Sequence, residues 1–151
     1  IVKDITCFSH CEHHMALMYD MNISIGYIPR GRVIGLSKMP RIAEMCCKRL
    51  QLQEKIGEDI AEVISIATGT DDVIVHITSS HSCISARGVK SANSKTTTLA
   101  TKGVFVQDDM INRFLIPDNY SVLYQRSLRS LLKMMHMARD PLAHDSYQMR
   151  A

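Results

Sequence analysis

The sequence predicts an α+β protein built on an antiparallel sheet. Short segments rich in β-branched and apolar residues flank a long segment whose apolar residues recur at spacings of three and four. The predicted order of elements is strand, strand, helix, helix, strand, strand, helix. Because the strands come in consecutive pairs and do not alternate with helices, this order is typical of an antiparallel sheet and not of a parallel one.

Four segments have the composition of β-strands. The first two extend from Ile1 to Ser9 and from Met21 to Ile28, and a turn with Pro and Gly follows the second. A third strand is predicted from Val73 onward, directly after the turn "GTDD". The fourth lies in the Thr- and Val-rich segment Ser94–Val106.

The helical segment between the two pairs of strands extends from Ser37 to about Thr68. Its length indicates two helices with a break near Leu50–Gln51, and Ser37 is a suitable N-cap for the first of them. A short helix is predicted for Asp108–Ile116, where the sequence "PDN" then stops it, and a last helix for Tyr120–Arg139.

Length and composition limit the possible classes of protein. The 151 residues are enough for one buried core, which we place in residues 1–116; we interpret residues 117–151 as a helical extension and tail of unknown role. The net charge of +3 does not indicate nucleic-acid binding. We expect no membrane span, because the chain has no run of 18 apolar residues. Five cysteines, an odd number, favour a reducing compartment and hence the cytoplasm.

Two segments concentrate groups that bind metals, "CFSHCEHHM" at Cys7–Met15 and "SSHSCISARG" at Ser79–Gly88. Cys11 and His14 have C-x-x-H spacing where a strand passes into a loop, and Cys83 follows a later strand. Thiolate and imidazole are ligands that Zn²⁺ prefers. The residues leave open whether a fourth side chain closes such a site, which would make it structural, or whether water keeps a position, which would make it catalytic.

Taken together, the motifs resemble the GTP cyclohydrolase I family. The matching segments are "VKDITCFSHCEHHM", "YIPRGRVIGLSKMPRIAEMCCKRLQLQEKI", "HSCISARGVK" and "NSKTTTLATKGVF", in the order and spacing of the family, from about Val2 to Leu115. The combination is far more specific than any single motif. The resemblance implies the tunnelling fold (T-fold), in which antiparallel sheets of several subunits join into a barrel. It also implies a homo-decamer of two stacked pentamers with active sites between subunits.

The resemblance further implies a role for each residue that matches a family motif. Four groups follow: the zinc ligands Cys11, His14 and Cys83; the proton-transferring His13 and His81; the guanine-binding Gln53 and Glu54; and the triphosphate-binding Ser37, Lys38, Arg41 and Arg87. In this family the zinc-activated water attacks C8 of GTP. Formate is released and 7,8-dihydroneopterin triphosphate forms, which is the first step toward folate, other pterins or deazapurines.

Two other functions remain as alternatives. One is a structural-zinc protein or an inactive T-fold partner subunit, and the other is a T-fold enzyme that acts on a different purine or pterin. His13 and His81 favour the enzyme, because a structural zinc site needs neither unligated histidines nor a set of guanine- and phosphate-binding residues. The resemblance therefore implies a zinc-dependent GTP cyclohydrolase I (EC 3.5.4.16).

Overall fold

Five strands form one sheet in a computed structural model of the protein, which describes residues 1–115. In chain order the strands are β1 (Val2–Cys11), β2 (Ala16–Tyr27), β3 (Leu50–Gln51), β4 (Val73–His81) and β5 (Thr96–Thr101). Their lateral order is β3-β1-β2-β4-β5, and each neighbouring pair is antiparallel except β1 and β3. The predicted α+β fold with an antiparallel sheet is confirmed, with one short parallel strand at its edge.

Four α-helices and one 3₁₀ turn accompany the sheet within residues 1–115. They are α1 (Lys38–Cys47), α2 (Gln53–Thr68), α3 (Ser82–Ser85), the 3₁₀ turn Gly103–Val106 and α4 (Asp108–Leu115). None of these helices is long and apolar enough to span a bilayer. The chain divides after Phe114 into two units, of which Ile1–Phe114 is the one described. The helix predicted at Tyr120–Arg139 and the extension 117–151 lie outside the described residues and stay predictions.

The predicted break in the long helical segment is confirmed at Leu50–Gln51, where the chain forms β3. Ser37 stands at the N-cap position of α1 as predicted, but its side chain makes no capping hydrogen bond because its backbone is already helical, with φ −66° and ψ −13°. The Ser37 hydroxyl is therefore not used to cap the helix.

Two predicted strand boundaries are wrong by five residues each. β2 begins at Ala16, five residues before the predicted Met21, because the strand accommodates polar Asp20 in a bulge with φ 48°. β5 ends at Thr101, although the sequence predicted extended chain to Val106. Gly103, with φ 59°, turns the chain there into the 3₁₀ turn, and a Cβ at this position would collide with Asp72.

Helices α1 and α2 pack on the same face of the sheet and close the main core. Ile56, Ile60 and Ile64, at every fourth position of α2, are fully buried. The opposing strand residues alternate along β2 and β4 and are also fully buried: Ile23, Ile25, Val73, Val75 and Ile77. On the opposite face, Phe105 and Phe114 pack against Ile74. The prediction of two helices on one face of the sheet is confirmed.

One end of the sheet collects the ends of three strands. Cys11 at the end of β1 pairs with Ala16 at the start of β2, which closes the four-residue loop Glu12–Met15. The left-handed backbone of Met15, with φ 49°, lets the chain reverse there. His81 at the end of β4 pairs with Met18 of β2. This end therefore brings the "CEHH" loop and the start of α3 together.

The packing of α2 can be tested with two isoleucines on one helix. Ile64→Ala removes a fully buried side chain and should lower the free energy of unfolding by about 2–5 kcal/mol. Ile66→Ala, at a position that is 71% exposed, is the matched control and should change it by less than about 0.5 kcal/mol. Urea denaturation measures both values. Equal losses for the two variants would contradict this packing of α2.

Candidate active site

The loop between β1 and β2 places two imidazoles side by side. The ring centroids of His13 and His14 are 4.2 Å apart, with the rings tilted by 38°. Desolvation lowers the pKa of His14, and the charges of His13 and Arg87 lower it further. Arg87 is thus close to the "CEHH" loop, although it follows that loop by more than half the described chain. A neutral imidazole keeps a lone pair, which both metal binding and proton transfer require.

A buried amide occupies the centre of the site. Gln53, the first residue of α2, has a side chain that is 1% exposed. Its amide makes five contacts. Nε2 donates to the backbone oxygens of Ile77 (3.1 Å) and Thr96 (3.2 Å) and to Oγ1 of Thr98 (3.1 Å). Oε1 accepts from Oγ of Ser79 (2.6 Å) and lies 2.9 Å from Nε2 of His81. This one side chain therefore connects α2 with β4, β5 and His81.

Glu54 lies beside this amide but faces solvent. It belongs to the first turn of α2 and is exposed. Burial lowers the pKa of His81, and the negative charge of Glu54 raises it in part. The carboxylate and the imidazole are therefore close enough to interact. His81 therefore has a buried amide as its hydrogen-bond partner and an accessible carboxylate near it.

The short helix α3 is fastened to the start of β2. Oγ of Ser82 donates to the backbone oxygen of Leu17 at 2.9 Å, and the hydroxyls of Tyr19 and Ser85 are 2.9 Å apart. Cys83 lies between these two anchors and is partly buried, whereas Cys11 is buried. Both thiols are free. The anchors hold Cys83 at the same end of the sheet as Cys11.

The predicted zinc ligands have suitable chemistry but do not form a finished site. Within residues 1–115, no three His, Cys, Asp or Glu side chains are close enough together to hold a metal ion. Cys11, His14 and Cys83 nevertheless provide two thiols and one imidazole at one end of the sheet, a donor set that suits Zn²⁺. Zinc therefore fits the residue types and the topology of this end.

Three polar residues predicted to bind phosphate lie at the start of α1. Ser37, Lys38 and Arg41 are all exposed there, and the first turn of this ten-residue helix has no acidic residue. Met39 is only 2% exposed and anchors the turn in the core. The positive end of the helix dipole adds to the charges of Lys38 and Arg41. Together these groups are suited to an anion.

Ser79 is a site residue that the sequence did not predict. Its side chain is fully buried in β4 and donates to the Gln53 amide. A signal was present in the sequence, since Ser79 continues the alternate strand positions Val73, Val75 and Ile77, which are apolar, and a serine at an inward-facing position needs a hydrogen-bond partner. The identity of that partner required the structure.

Comparison with known proteins points to the same family as the motifs. The sequence model of a family described as GTP cyclohydrolase I matches residues 1–116. The chain belongs to the GTP cyclohydrolase I family. The T-fold expected from the motifs is the fold of this family, and its curled sheet and helices agree with the structure.

Relatives named GTP cyclohydrolase 1 are similar over the same part of the chain. The relative from Clostridium botulinum (strain Loch Maree) is 52% identical over 115 residues, which cover 76% of this chain and 59% of the relative. The relative from Ruminiclostridium cellulolyticum is 50% identical over 117 residues, which cover 77% of this chain and 60% of the relative. The relative from Clostridium acetobutylicum is 51% identical over 111 residues, which cover 74% of this chain and 57% of the relative. This chain therefore spans less than two thirds of these relatives' length.

Proposed function

We propose that this chain acts as a zinc-dependent GTP cyclohydrolase I. The reaction opens the imidazole ring of GTP at C8, releases formate and forms 7,8-dihydroneopterin triphosphate. Family membership supports this function, and one structural observation carries it: His81, which is hydrogen-bonded to the Gln53 amide and lies near the Glu54 carboxylate, is at the end of the sheet that also bears the "CEHH" loop. A purine placed on Glu54 would thus have an imidazole within reach of its ring.

Zinc is the cofactor that we propose, held by Cys11, His14 and Cys83. Three protein ligands leave one coordination position open, which distinguishes a catalytic zinc from a structural one. When bound, zinc supplies Lewis acidity that activates water near neutral pH. The two thiol ligands need a reducing environment, which, with all five cysteines free, supports a cytoplasmic location.

Glu54 is the residue that we propose to recognise guanine. Its carboxylate is exposed at the start of α2 and accepts hydrogen bonds only. Guanine presents two donors on one edge, N1–H and the exocyclic N–H, and adenine lacks this pair. Charge-assisted hydrogen bonds to both donors would select GTP over ATP. Because Glu54 is close to His81, this contact also brings the reacting ring near an imidazole.

Proton transfer falls to His13 and His81 in this proposal. Each would deliver or remove protons at the nitrogen atoms of the opening ring, since imidazole is suited to acid–base work near neutral pH. Neither is among the three proposed zinc ligands. His13 contacts the ring of His14, which places it beside that donor set.

The triphosphate would bind at Ser37, Lys38, Arg41 and Arg87. Arg side chains bind phosphate oxygens in bidentate fashion, and Lys adds a compact charge. Arg87 lies near His14, whereas the other three are at the start of α1.

We propose that a homo-oligomer, a decamer of two pentamers, completes the site. Within the described residues β5 pairs only with β4, and its free edge suits pairing with another subunit.

The activity itself is the first prediction of this proposal. The full chain incubated with Zn²⁺ and GTP should release formate and give a pterin that is fluorescent after oxidation. A chelator should abolish both signals, and added Zn²⁺ should restore them. ATP in place of GTP is the control and should release no formate. A zinc-loaded chain that produces neither formate nor pterin would exclude the proposed function.

The zinc ligands can be tested by measuring bound metal. Cys83→Ser should lose most of its zinc, because a hydroxyl is a much weaker ligand than a thiolate, and should lose activity with it. Cys7→Ser is the matched control, since Cys7 lies in the same β1 segment as Cys11 but outside the proposed set. It should keep its zinc. Metal analysis measures the zinc that each protein retains after dialysis. Full zinc retention by Cys83→Ser would exclude Cys83 as a zinc ligand.

Recognition of guanine can be tested at Glu54. Glu54→Gln removes the charge and offers a donor where guanine also presents donors, so the KM for GTP should rise about 10- to 100-fold. Glu58→Gln, one turn further along α2 and also exposed, is the matched control and should leave the KM within about twofold. Steady-state kinetics measure both. An unchanged KM for Glu54→Gln would contradict the role of Glu54.

A further inference from the structure

We propose that Gln53 is a positioning residue for His81, which fixes the proton of the imidazole on Nε2 and leaves Nδ1 to exchange a proton with the substrate. The proposal rests on the proposed function for the reaction itself. It assigns to Gln53 a task different from the contact with guanine that the resemblance implies. Four observations on the hydrogen bonds of this amide carry it.

The orientation of the Gln53 amide follows from its neighbours. One end of the amide lies 3.1 Å from the backbone oxygen of Ile77 and 3.2 Å from that of Thr96. Backbone oxygens only accept hydrogen bonds, so this end must be the NH₂ group. The other end, which faces Ser79 and His81, is therefore the carbonyl oxygen Oε1.

The orientation of the amide determines the tautomer of His81. Oε1 of Gln53 only accepts hydrogen bonds, and Nε2 of His81 lies 2.9 Å from it. Nε2 must therefore carry a hydrogen, since the other neutral tautomer would place a nitrogen lone pair against the oxygen lone pairs. In a neutral imidazole the second nitrogen then has no hydrogen. Nδ1 is the nitrogen of His81 that is left for acid–base chemistry.

The amide has no remaining capacity to bind guanine. Its two N–H groups are shared among three acceptors, the third being Oγ1 of Thr98 at 3.1 Å. The two lone pairs of Oε1 are taken by Ser79 and His81. The side chain is also 1% exposed. A contact with substrate would require a buried hydrogen bond to be broken, which costs about 1–3 kcal/mol.

The same geometry suits the proton step of the proposed reaction. His81 can act as an acid only in its imidazolium form, which carries a hydrogen on both nitrogens. The N–H bond at Nδ1 then breaks, its electron pair stays on the ring, and an N–H bond forms at the departing ring nitrogen of the substrate. The imidazole that remains carries its hydrogen on Nε2, and Gln53 already binds that hydrogen. No change of tautomer or ring orientation is needed after the transfer. A fixed imidazole is a better acid than one that samples several orientations.

The tautomer can be measured directly by ¹⁵N NMR on the full chain labelled at histidine. The His81 signals are assigned by comparison with His81→Asn. In the wild type we expect the hydrogen of the neutral ring on Nε2, and in Gln53→Met, which has similar volume but no amide, we expect a mixture of both tautomers. A wild-type ring protonated on Nδ1 would overturn the proposal, and so would an Nε2–H tautomer that persists in Gln53→Met. Where Gln53→Met does not fold, a wild-type ring protonated on Nδ1 still overturns the proposal.

Kinetics distinguish positioning from substrate binding. Gln53→Met should lower kcat about tenfold or more and leave the KM for GTP within about threefold. Gln107→Met is the matched control, because it makes the same substitution at an exposed glutamine outside the site; its kcat should stay within about twofold of the wild type. A raised KM with an unchanged kcat in Gln53→Met would show that Gln53 binds guanine.

The two proposals fail separately. A wild-type chain without formate release refutes the proposed function, whereas the NMR result on His81 depends only on the hydrogen bond between the amide and the ring. A chain that is inactive toward GTP but shows His81 protonated on Nε2 in the wild type and mixed tautomers in Gln53→Met would support the positioning role alone.

Discussion

The arrangement of the site depends on one buried carboxamide, that of Gln53, whose hydrogen-bond donors and acceptors must all have partners. A primary amide inside a protein must find partners for two N–H groups and two lone pairs, or lose free energy comparable to each missing hydrogen bond. Gln53, in the first turn of α2, finds them on two strands, in the second half of β4 and the first half of β5. His81 is one of those partners. The ring is therefore oriented by the same contacts that fasten the helix to the sheet.

The register of the sheet brings the remaining groups to this amide. Pairing of Cys11 with Ala16, and of Met18 with His81, aligns the ends of β1 and β4 across the start of β2. Residues separated by about seventy positions in the chain thus share one end of the sheet. The left-handed Met15 closes the loop between β1 and β2, and the two imidazoles of this loop are exposed, with Arg87 near His14.

Periodicity and motif spacing were sufficient to predict the fold and the groups that belong to the site. The apolar repeat predicted α2 and its buried isoleucines, and the matched motifs predicted the family. They were not sufficient for the edges of strands, because the bulge at Asp20 and the turn at Gly103 arise from backbone conformation that composition does not reveal. Nor did they predict what Gln53 does. The letters "QLQE" at positions 51–54 fit an amide that faces substrate or one that faces Ser79, and only long-range contacts distinguish these two arrangements.

The position of β5 at the margin of the sheet has a consequence for the response to heat. In a separated subunit, where no neighbour pairs with the free edge of β5, such a marginal strand frays at lower temperatures than a central one, because one side of its backbone lacks a partner. Two acceptors of the Gln53 amide, Thr96 and Thr98, belong to this strand. When β5 frays, the amide keeps only its partners on β4 and holds the imidazole less firmly, while the isoleucine core beneath α2 is still intact. A separated subunit should thus lose the fixed orientation of His81 on warming before circular dichroism reports any melting.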